Sequence, residues 1–154
     1  MLTVEEQAAV DYAVALVQSK IVVPTKGING NESAKALFQL MLSDKEQEVF
    51  AVAFLNNQHQ IIEVKEMFFG TVDAAAVYPR EIIKQGLLLN ASALLLAHNH
   101  PSGTLKASRA DEVITQRIAT CADLFDIRIL DHIIVTASAA VTFHELGLEN
   151  CLRG

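Results

Sequence analysis

The chain has few of the residues that mark extracellular, membrane-bound or nucleic-acid-binding proteins. Its 154 residues include no tryptophan, two cysteines and three prolines. Cys121 and Cys151 are not spaced as zinc ligands are. A membrane span needs about 20 consecutive apolar residues, and the sequence contains no run of that length. The first residues lack the basic and apolar regions of a secretory signal peptide. We therefore expect a protein of the reducing cytoplasm.

Positive charge is also scarce. The chain carries 12 lysines and arginines against 18 aspartates and glutamates, which gives a net charge of −6 and a pI near 5.3. No cluster of basic residues is visible, whereas nucleic-acid-binding proteins usually display one. A nucleic-acid partner is therefore disfavoured. The 51% of hydrophobic residues suits one globular domain with a substantial core.

Hydrophobic periodicity predicts an α/β protein with a mixed β-sheet flanked by helices. The predicted order is helix, helix, strand, strand, helix, strand, helix, strand and a short closing element. These elements fall at residues 3–19, 33–42, 48–55, 60–69, 79–90, 93–98, 108–125, 127–137 and 141–146. An extended piece at residues 21–24 and a loop at residues 25–31 separate the first two helices. Thr3 and Glu6 predict a capping box for the first helix. The residues predicted to face inward from the second helix are Ala36, Leu37, Leu40 and Met41.

One segment carries most of the chemical information. His98 and His100 lie two residues apart at the end of an apolar strand, so their imidazoles face the same way. After a turn signal at residues 101–103, Ser108 and Asp111 have the spacing of a capping box at a helix start. A strand end and a helix start joined by a loop can bring two imidazoles and a carboxylate to one metal ion. Three protein ligands with one open position are typical of catalytic zinc sites.

Each part of this segment also has a plainer interpretation. His-x-His pairs occur by chance, and Ser108 with Asp111 forms a good helix cap whatever its further role. The combination favours the metal site, because a purely structural interpretation leaves two imidazoles and a carboxylate with no common purpose.

The whole pattern resembles a known family signature. His98-x-His100, seven residues, Ser108, two residues and Asp111 is similar to the JAMM motif of the JAB/MPN+ metalloproteases. The longer string HNHPSG, with DHIIV at residues 131–135 and VYPREI at residues 77–82, resembles the RadC-like branch of that family. The resemblance extends over about residues 42–148. It implies an MPN domain of cytidine-deaminase-like architecture, with a zinc ion bound by His98, His100 and Asp111 and a water in the fourth position.

The same resemblance implies two further roles. The family carries a glutamate on an earlier strand as the general base for the bound water. Glu48 fits because it opens the apolar strand of residues 48–55, and Glu46, on the same face, is its nearest competitor. Without the family, Glu48 would be interpreted as an exposed carboxylate at a strand end. Ser108 resembles the family serine whose hydroxyl helps to hold the tetrahedral oxyanion, together with capping the helix or instead of it.

These residues predict a zinc-dependent metallohydrolase that cleaves a peptide, isopeptide or other amide bond, with a peptide or protein as its substrate. The main alternative is a binding or scaffold module that keeps the fold without turnover. An association with DNA repair, suggested only by the family's name, is weaker. The natural substrate and the oligomeric state stay open.

We expect residues 1–42 to form N-terminal helices that pack on a JAB domain of residues 43–154, within one compact domain. RadC-type relatives commonly carry a helix-hairpin-helix module before the JAB domain. We do not expect that module here, because too few residues precede Glu48.

Several other polar or half-polar residues have positions that the sequence predicts. Asp131 and His132 form an unusual charged pair within a strand and face opposite ways, so we do not expect both in the core. A position around the metal ligands and a structural role at a sheet end are both open, and the structural role is favoured. We expect His59 to be solvated in a hairpin turn, His144 to be no ligand, and Cys121 to lie in the core.

Overall fold

The computed structural model describes residues 1–19, 32–70 and 76–154, and a five-stranded mixed sheet with helices on both faces forms its centre. The helices are α1 (Val4–Gln18), α2 (Glu32–Leu42), α3 (Pro79–Leu88) and α4 (Arg109–Asp123). The strands are β1 (Val49–Leu55), β2 (Ile61–Phe69), β3 (Ala93–Asn99), β4 (Arg128–Val135) and β5 (Ala140–Thr142). A short 3-10 helix, Glu149–Leu152, follows β5. The α/β fold class is confirmed, and the predicted order of elements matches the structure.

The strands lie in the order β2-β1-β3-β4-β5. β1 pairs antiparallel with β2 and β3, and β4 pairs antiparallel with β5. β3 and β4 are parallel, which requires a crossover connection, and α4 lies in that connection. The start of α4 therefore lies near the carboxyl-terminal end of β3. In α/β sheets, ligands bind at the carboxyl ends of strands.

Two interior strands, β1 and β3, are largely apolar because both faces of each strand are covered. Every residue of β1 and β3 is buried. Phe50, Val52 and Phe54 pack with α3 and α4, whereas the alternate residues of β1 pack with α2. His98 pairs with Phe50 in the sheet register and lies on the same face as that residue. The imidazole of His98 is therefore directed towards the α4 side of the sheet.

α2 covers the sheet with a different stripe of residues from the one predicted. Its buried residues are Ala34, Leu37, Phe38 and Leu42. They follow the i, i+3, i+4 and i+8 positions of a helical stripe, and Leu40, which lies outside that stripe, is 39% exposed. The prediction that Ala36 and Leu40 face inward is wrong, because both are exposed, whereas Leu37 is buried and Met41 packs against the core. α1 lies farther out, with no buried residue, and only Val14 and Val17 pack against this side of the core.

Of two local predictions, the one for the first helix cap is confirmed and the one for His59 is wrong. The capping box of Thr3 and Glu6 is present. The prediction that His59 is solvated is wrong, because its ring is 3% exposed, with Nε2 3.5 Å from Arg128 Nη2. The hairpin turn adopts a left-handed conformation at His59, with φ of 60°, and the ring packs at the start of β4. Cys121 is half-buried against the core.

The remaining expectations concern the chain as a whole. The extended piece at residues 21–24 and the loop at residues 25–31 lie outside the described residues. The division between residues 42 and 43 stays a prediction. Within the described ranges, no helix is long and apolar enough to cross a membrane.

Candidate metal centre

The three predicted ligands converge where β3 ends and α4 begins. His98 lies near the end of β3, His100 follows that strand, and Asp111 lies in the first turn of α4. One ligand atom from each residue lies within 4.8 Å of the others. His98 Nε2 and His100 Nε2 are 2.8 Å apart, and each lies 3.4 Å from a different oxygen of Asp111. The fold thus brings together the residues that the sequence spacing singled out.

The start of α4 orients the carboxylate. The Ser108 hydroxyl accepts a hydrogen bond from the backbone N–H of Asp111 at 3.1 Å. The backbone N–H of Ser108 donates to Asp111 Oδ2 at 2.7 Å. The capping box expected at these positions is therefore present. No described residue accepts a hydrogen bond from the Ser108 hydroxyl, so its proton can be donated to another group in the cleft that it lines.

The loop after β3 orients His100. Its Nδ1 donates a hydrogen bond to the carbonyl oxygen of Thr104 at 2.6 Å. Because a carbonyl oxygen only accepts, the proton of the neutral ring lies on Nδ1, and Nε2 carries the free lone pair. That lone pair is directed to the point where His98 and Asp111 also converge.

This set of donor atoms fits a metal ion. Burial alone would raise the pKa of Asp111, but the imidazoles of His100 and His98, which donate to its carboxylate when they are protonated, outweigh burial and hold the pKa well below its ordinary value. The same hydrogen bond with Asp111 raises the pKa of His100. The lowered pKa keeps the Asp111 carboxylate ionised, and the raised pKa means that positive charge beside this carboxylate is stabilised. Two imidazoles and one carboxylate are a usual ligand set of zinc.

Glu48 lies on the wall of the cleft that contains this centre. It immediately precedes β1, two residues before Phe50, which pairs with His98 in the antiparallel register. Glu48 is half-buried and lines the cleft, whereas Glu46 is exposed and lines a separate, smaller hollow. Of the two candidate bases, Glu48 is the one that the fold brings to the centre's own cleft.

The cleft has a volume of about 740 Å³. Its apolar lining comes from Phe50, Val77, Val113 and Ile114, and its basic lining from Lys106 and Arg117. A volume of this size lies within the range of about 300–1,000 Å³ that is typical of ligand-binding clefts. The cleft beside the three ligands therefore has the size of a typical ligand-binding site.

Both Asp131 and His132 are buried, at 1% and 0% exposure, contrary to the prediction. The reason is that helices cover both faces of the sheet, so side chains that face opposite ways can both be enclosed. His132 Nε2 lies 2.8 Å from His98 Nδ1, which places it directly behind a candidate ligand. Burial holds the pKa of His132 well below its ordinary value. On the other face, Asp131 lies 2.9 Å from His144.

Asn99 is a residue that the sequence motif did not single out. It is 2% exposed and faces the opposite side of β3 from the histidines. Its Oδ1 accepts a hydrogen bond from the backbone N–H of Val49 at 2.7 Å, and its Nδ2 donates to the carbonyls of Gln47 and Lys45. These contacts bracket Glu48 and hold it against the end of β3. A signal was present in the sequence, because a polar side chain in a buried strand needs hydrogen-bond partners.

Comparisons with known proteins find one matching family model and several related proteins. Residues 28–148 match a family model described as RadC-like JAB domain. A UPF0758 protein of Methylibium petroleiphilum is 49% identical over 117 residues, which are 76% of this chain and 53% of the relative. A UPF0758 protein of Haemophilus influenzae strain 86-028NP is 49% identical over 125 residues, 81% of this chain and 55% of the relative. One from Vibrio cholerae is 52% identical over 116 residues, 75% of this chain and 73% of the relative. The chain spans about half the length of the first two relatives.

Proposed function

Because the chain belongs to the RadC-like JAB domain family, we propose that it is a zinc-dependent hydrolase that cleaves a peptide, isopeptide or other amide bond. The observation that supports this best is the convergence of His98, His100 and Asp111 in a cleft that Glu48 also lines. The substrate that fits such a cleft is an extended peptide or the flexible segment of a protein. The free thiols of Cys121 and Cys151 suit a cytoplasmic setting.

The residues of the chain divide the chemistry of hydrolysis among them. Zinc, when bound by the two histidines and the aspartate, supplies an acidified water and polarises the scissile carbonyl. The Glu48 carboxylate takes the proton from the attacking water and returns it to the leaving amine as the C–N bond breaks. The Ser108 hydroxyl donates a hydrogen bond to the oxygen that becomes negative when the water adds to the carbonyl carbon. Asp111 stays ionised throughout and balances the charge of the centre.

Metal content is the experiment that tests this proposal. Elemental mass spectrometry on tag-free protein should find about one zinc per chain, the stoichiometry of a single three-ligand site. Asp111→Ala should lose it. Glu112→Ala is the matched control, because Glu112 is the neighbouring acidic residue of the same helix turn and pairs with Arg109 at 2.8 Å. That variant should keep its zinc.

Two outcomes would contradict the proposal. If wild-type protein and variant both lack metal after zinc reconstitution, the hydrolase proposal fails and the scaffold module becomes the better account. If zinc is bound but survives Asp111→Ala, the ligand assignment is wrong. Zinc that follows the expected pattern justifies a search for cleavage with peptide and isopeptide libraries.

A further inference from the structure

A buried line of hydrogen bonds connects two of the three candidate ligands behind the metal centre. It begins at the backbone carbonyl of Asp111, which lies 2.6 Å from the hydroxyl of Thr115. That hydroxyl lies 2.6 Å from Nδ1 of His132. Nε2 of His132 in turn lies 2.8 Å from Nδ1 of His98. Thr115 and His132 are fully buried, and His98 is 1% exposed.

The direction of each hydrogen bond follows from the first one. A carbonyl oxygen only accepts, so the single hydroxyl proton of Thr115 is donated to Asp111. The hydroxyl oxygen must then accept from His132, whose proton therefore lies on Nδ1. In a neutral ring this leaves Nε2 of His132 as an acceptor, and the donor that it faces is Nδ1 of His98. The remaining nitrogen of the neutral His98 ring, Nε2, then carries a lone pair and faces His100 Nε2 at 2.8 Å and Asp111 Oδ1 at 3.4 Å, the atoms that would share a metal ion with it.

We propose that His132 and Thr115 are positioning residues, which hold the proton of His98 on Nδ1 so that Nε2 presents its lone pair to the metal. The inference rests on the metal centre of the proposed function. The backbone carbonyl of Asp111 fixes the direction in which the Thr115 hydroxyl donates its proton. One ligand therefore sets the tautomer of another through two side chains that are not ligands themselves. His100 needs no such help, because Thr104 fixes its tautomer directly.

The packing of His132 supports this assignment. Its ring stacks on Phe143 with centroids 4.6 Å apart and meets the edge of Phe50 at 5.4 Å. Such walls offer no other hydrogen-bond partner and disfavour a buried charge, so the neutral ring keeps one orientation. Such a partner holds the second nitrogen of a metal-binding histidine. Its removal typically weakens metal affinity by about 10–100-fold.

Histidine NMR on the metal-free protein tests the proton positions directly. Long-range proton–nitrogen correlation spectra distinguish a ring with its proton on Nδ1 from one with its proton on Nε2. At mildly alkaline pH, we expect both His98 and His132 to carry the proton on Nδ1. A His98 proton found on Nε2 in the wild-type protein would overturn the inference. This readout needs no bound metal and no substrate.

Zinc affinity, measured by competition with a chelating dye, tests the consequence. Thr115→Val keeps the shape of the side chain but removes the hydroxyl, so we expect a loss of the single Nδ1–H tautomer and affinity weaker by about 10–100-fold. Thr115→Ser keeps the hydroxyl and should stay near wild type. His132→Gln keeps an acceptor towards His98 and should bind zinc better than His132→Met, which removes it. Circular dichroism establishes that each variant is folded.

The outcomes separate this inference from the proposed function. If the wild-type protein takes up no zinc, the proposed function fails, while the NMR spectra still decide the tautomer of His98. If zinc is bound and Thr115→Val matches wild type in both tautomer and affinity, the positioning role is wrong. A tautomer change without a loss of affinity would also overturn it.

Discussion

Each ligand of the candidate centre makes a further hydrogen bond that orients its side chain. Thr104 holds Nδ1 of His100, and the backbone N–H of Ser108 holds Oδ2 of Asp111. His132 holds Nδ1 of His98. These contacts restrict the orientations of the three side chains, so less conformational freedom is lost when the side chains bind a metal ion. At the scale of single residues, contacts within the fold therefore orient all three ligands.

Glu48→Gln should separate metal binding from hydrolysis. The amide has nearly the same shape but cannot take a proton from water, so we expect unchanged zinc content and hydrolysis slower by about 10²–10⁴-fold. The measurement is the rate on a cleavable peptide beside zinc stoichiometry. Glu46→Gln, two residues away and outside the cleft, is the control and should keep both. Full activity in Glu48→Gln would show that the base is another group.

Asn99→Ala should lower the stability of the fold where β1 begins beside the candidate metal centre. The change leaves a buried backbone N–H of Val49 and two backbone carbonyls without their partner. We expect the free energy of unfolding to fall by about 1–3 kcal/mol. Urea unfolding measures this, and Asn57→Ala, on an exposed turn residue, should change it by only about 0.5 kcal/mol. Equal effects of the two changes would contradict the account.

At the scale of elements, pattern and length decided how well the sequence could be interpreted. β1 and β3 are short apolar runs bounded by polar residues, and such runs predict buried strands. α2 has only 11 residues, with apolar side chains on several faces, so its sequence pattern predicts a stripe one residue away from the stripe that is buried. Which face of a short helix is buried depends on where the sheet lies, and that is a tertiary property.

The stripe of α2 can be tested with two identical substitutions. Leu37 is fully buried and Leu40 is 39% exposed on the same helix. Leu37→Ala should lower the free energy of unfolding by about 2–5 kcal/mol, because it opens a cavity in the core. Leu40→Ala should cost about 1 kcal/mol or less. Chemical denaturation of both variants measures the difference, and a larger loss for Leu40→Ala would support the stripe predicted from the sequence.

At the scale of the whole molecule, the sheet has no open face in its centre. α2 covers one side and α3 with α4 the other, so the inward residues of β1 and β3 form two separate core clusters. This arrangement explains why a charged pair such as Asp131 and His132 can be buried within one strand. Asp131 enters the α2 side, and His132 enters the side of the metal centre.

A long-range ion pair ties the α2 layer to the end of the chain and should respond to pH. Lys35 Nζ lies 2.8 Å from a carboxylate oxygen of Glu145. Burial alone would raise the pKa of Glu145, but the hydrogen bond from Lys35 and the backbone of Thr142 lower it below its ordinary 4.5. The stabilisation is therefore fully present above about pH 4.5 and is lost as the pH falls through the lowered pKa.

Glu145→Gln should accordingly cost about 0.5–1 kcal/mol of unfolding free energy at neutral pH. The difference from wild type should vanish in acid, below the lowered pKa. Urea unfolding at neutral and at acid pH measures this. Lys35→Met, which also removes the ion pair with Glu32 at 2.9 Å, should likewise lose stability at neutral pH and not in acid. A loss that is the same at both pH values would mean that the ion pair is not its source.

The charge of the whole molecule argues against a nucleic-acid partner. With a net charge of −6, the chain should show no binding to duplex DNA even at low salt, where contacts to phosphate are strongest. Fluorescence anisotropy of a labelled duplex measures this. Binding that weakens steeply as salt is added would reveal a basic surface and revive the association with DNA repair.

The sequence alone determined what depends on neighbours along the chain: the apolar strands, the helix caps, and the spacing that puts two histidines on one face. The tertiary structure decided what depends on residues far apart in sequence. His98 meets His132 across 34 positions, and Asn99 meets Val49 across 50. Such contacts follow from strand order and register. These are set by burying both faces of the sheet at once, and no local pattern encodes them.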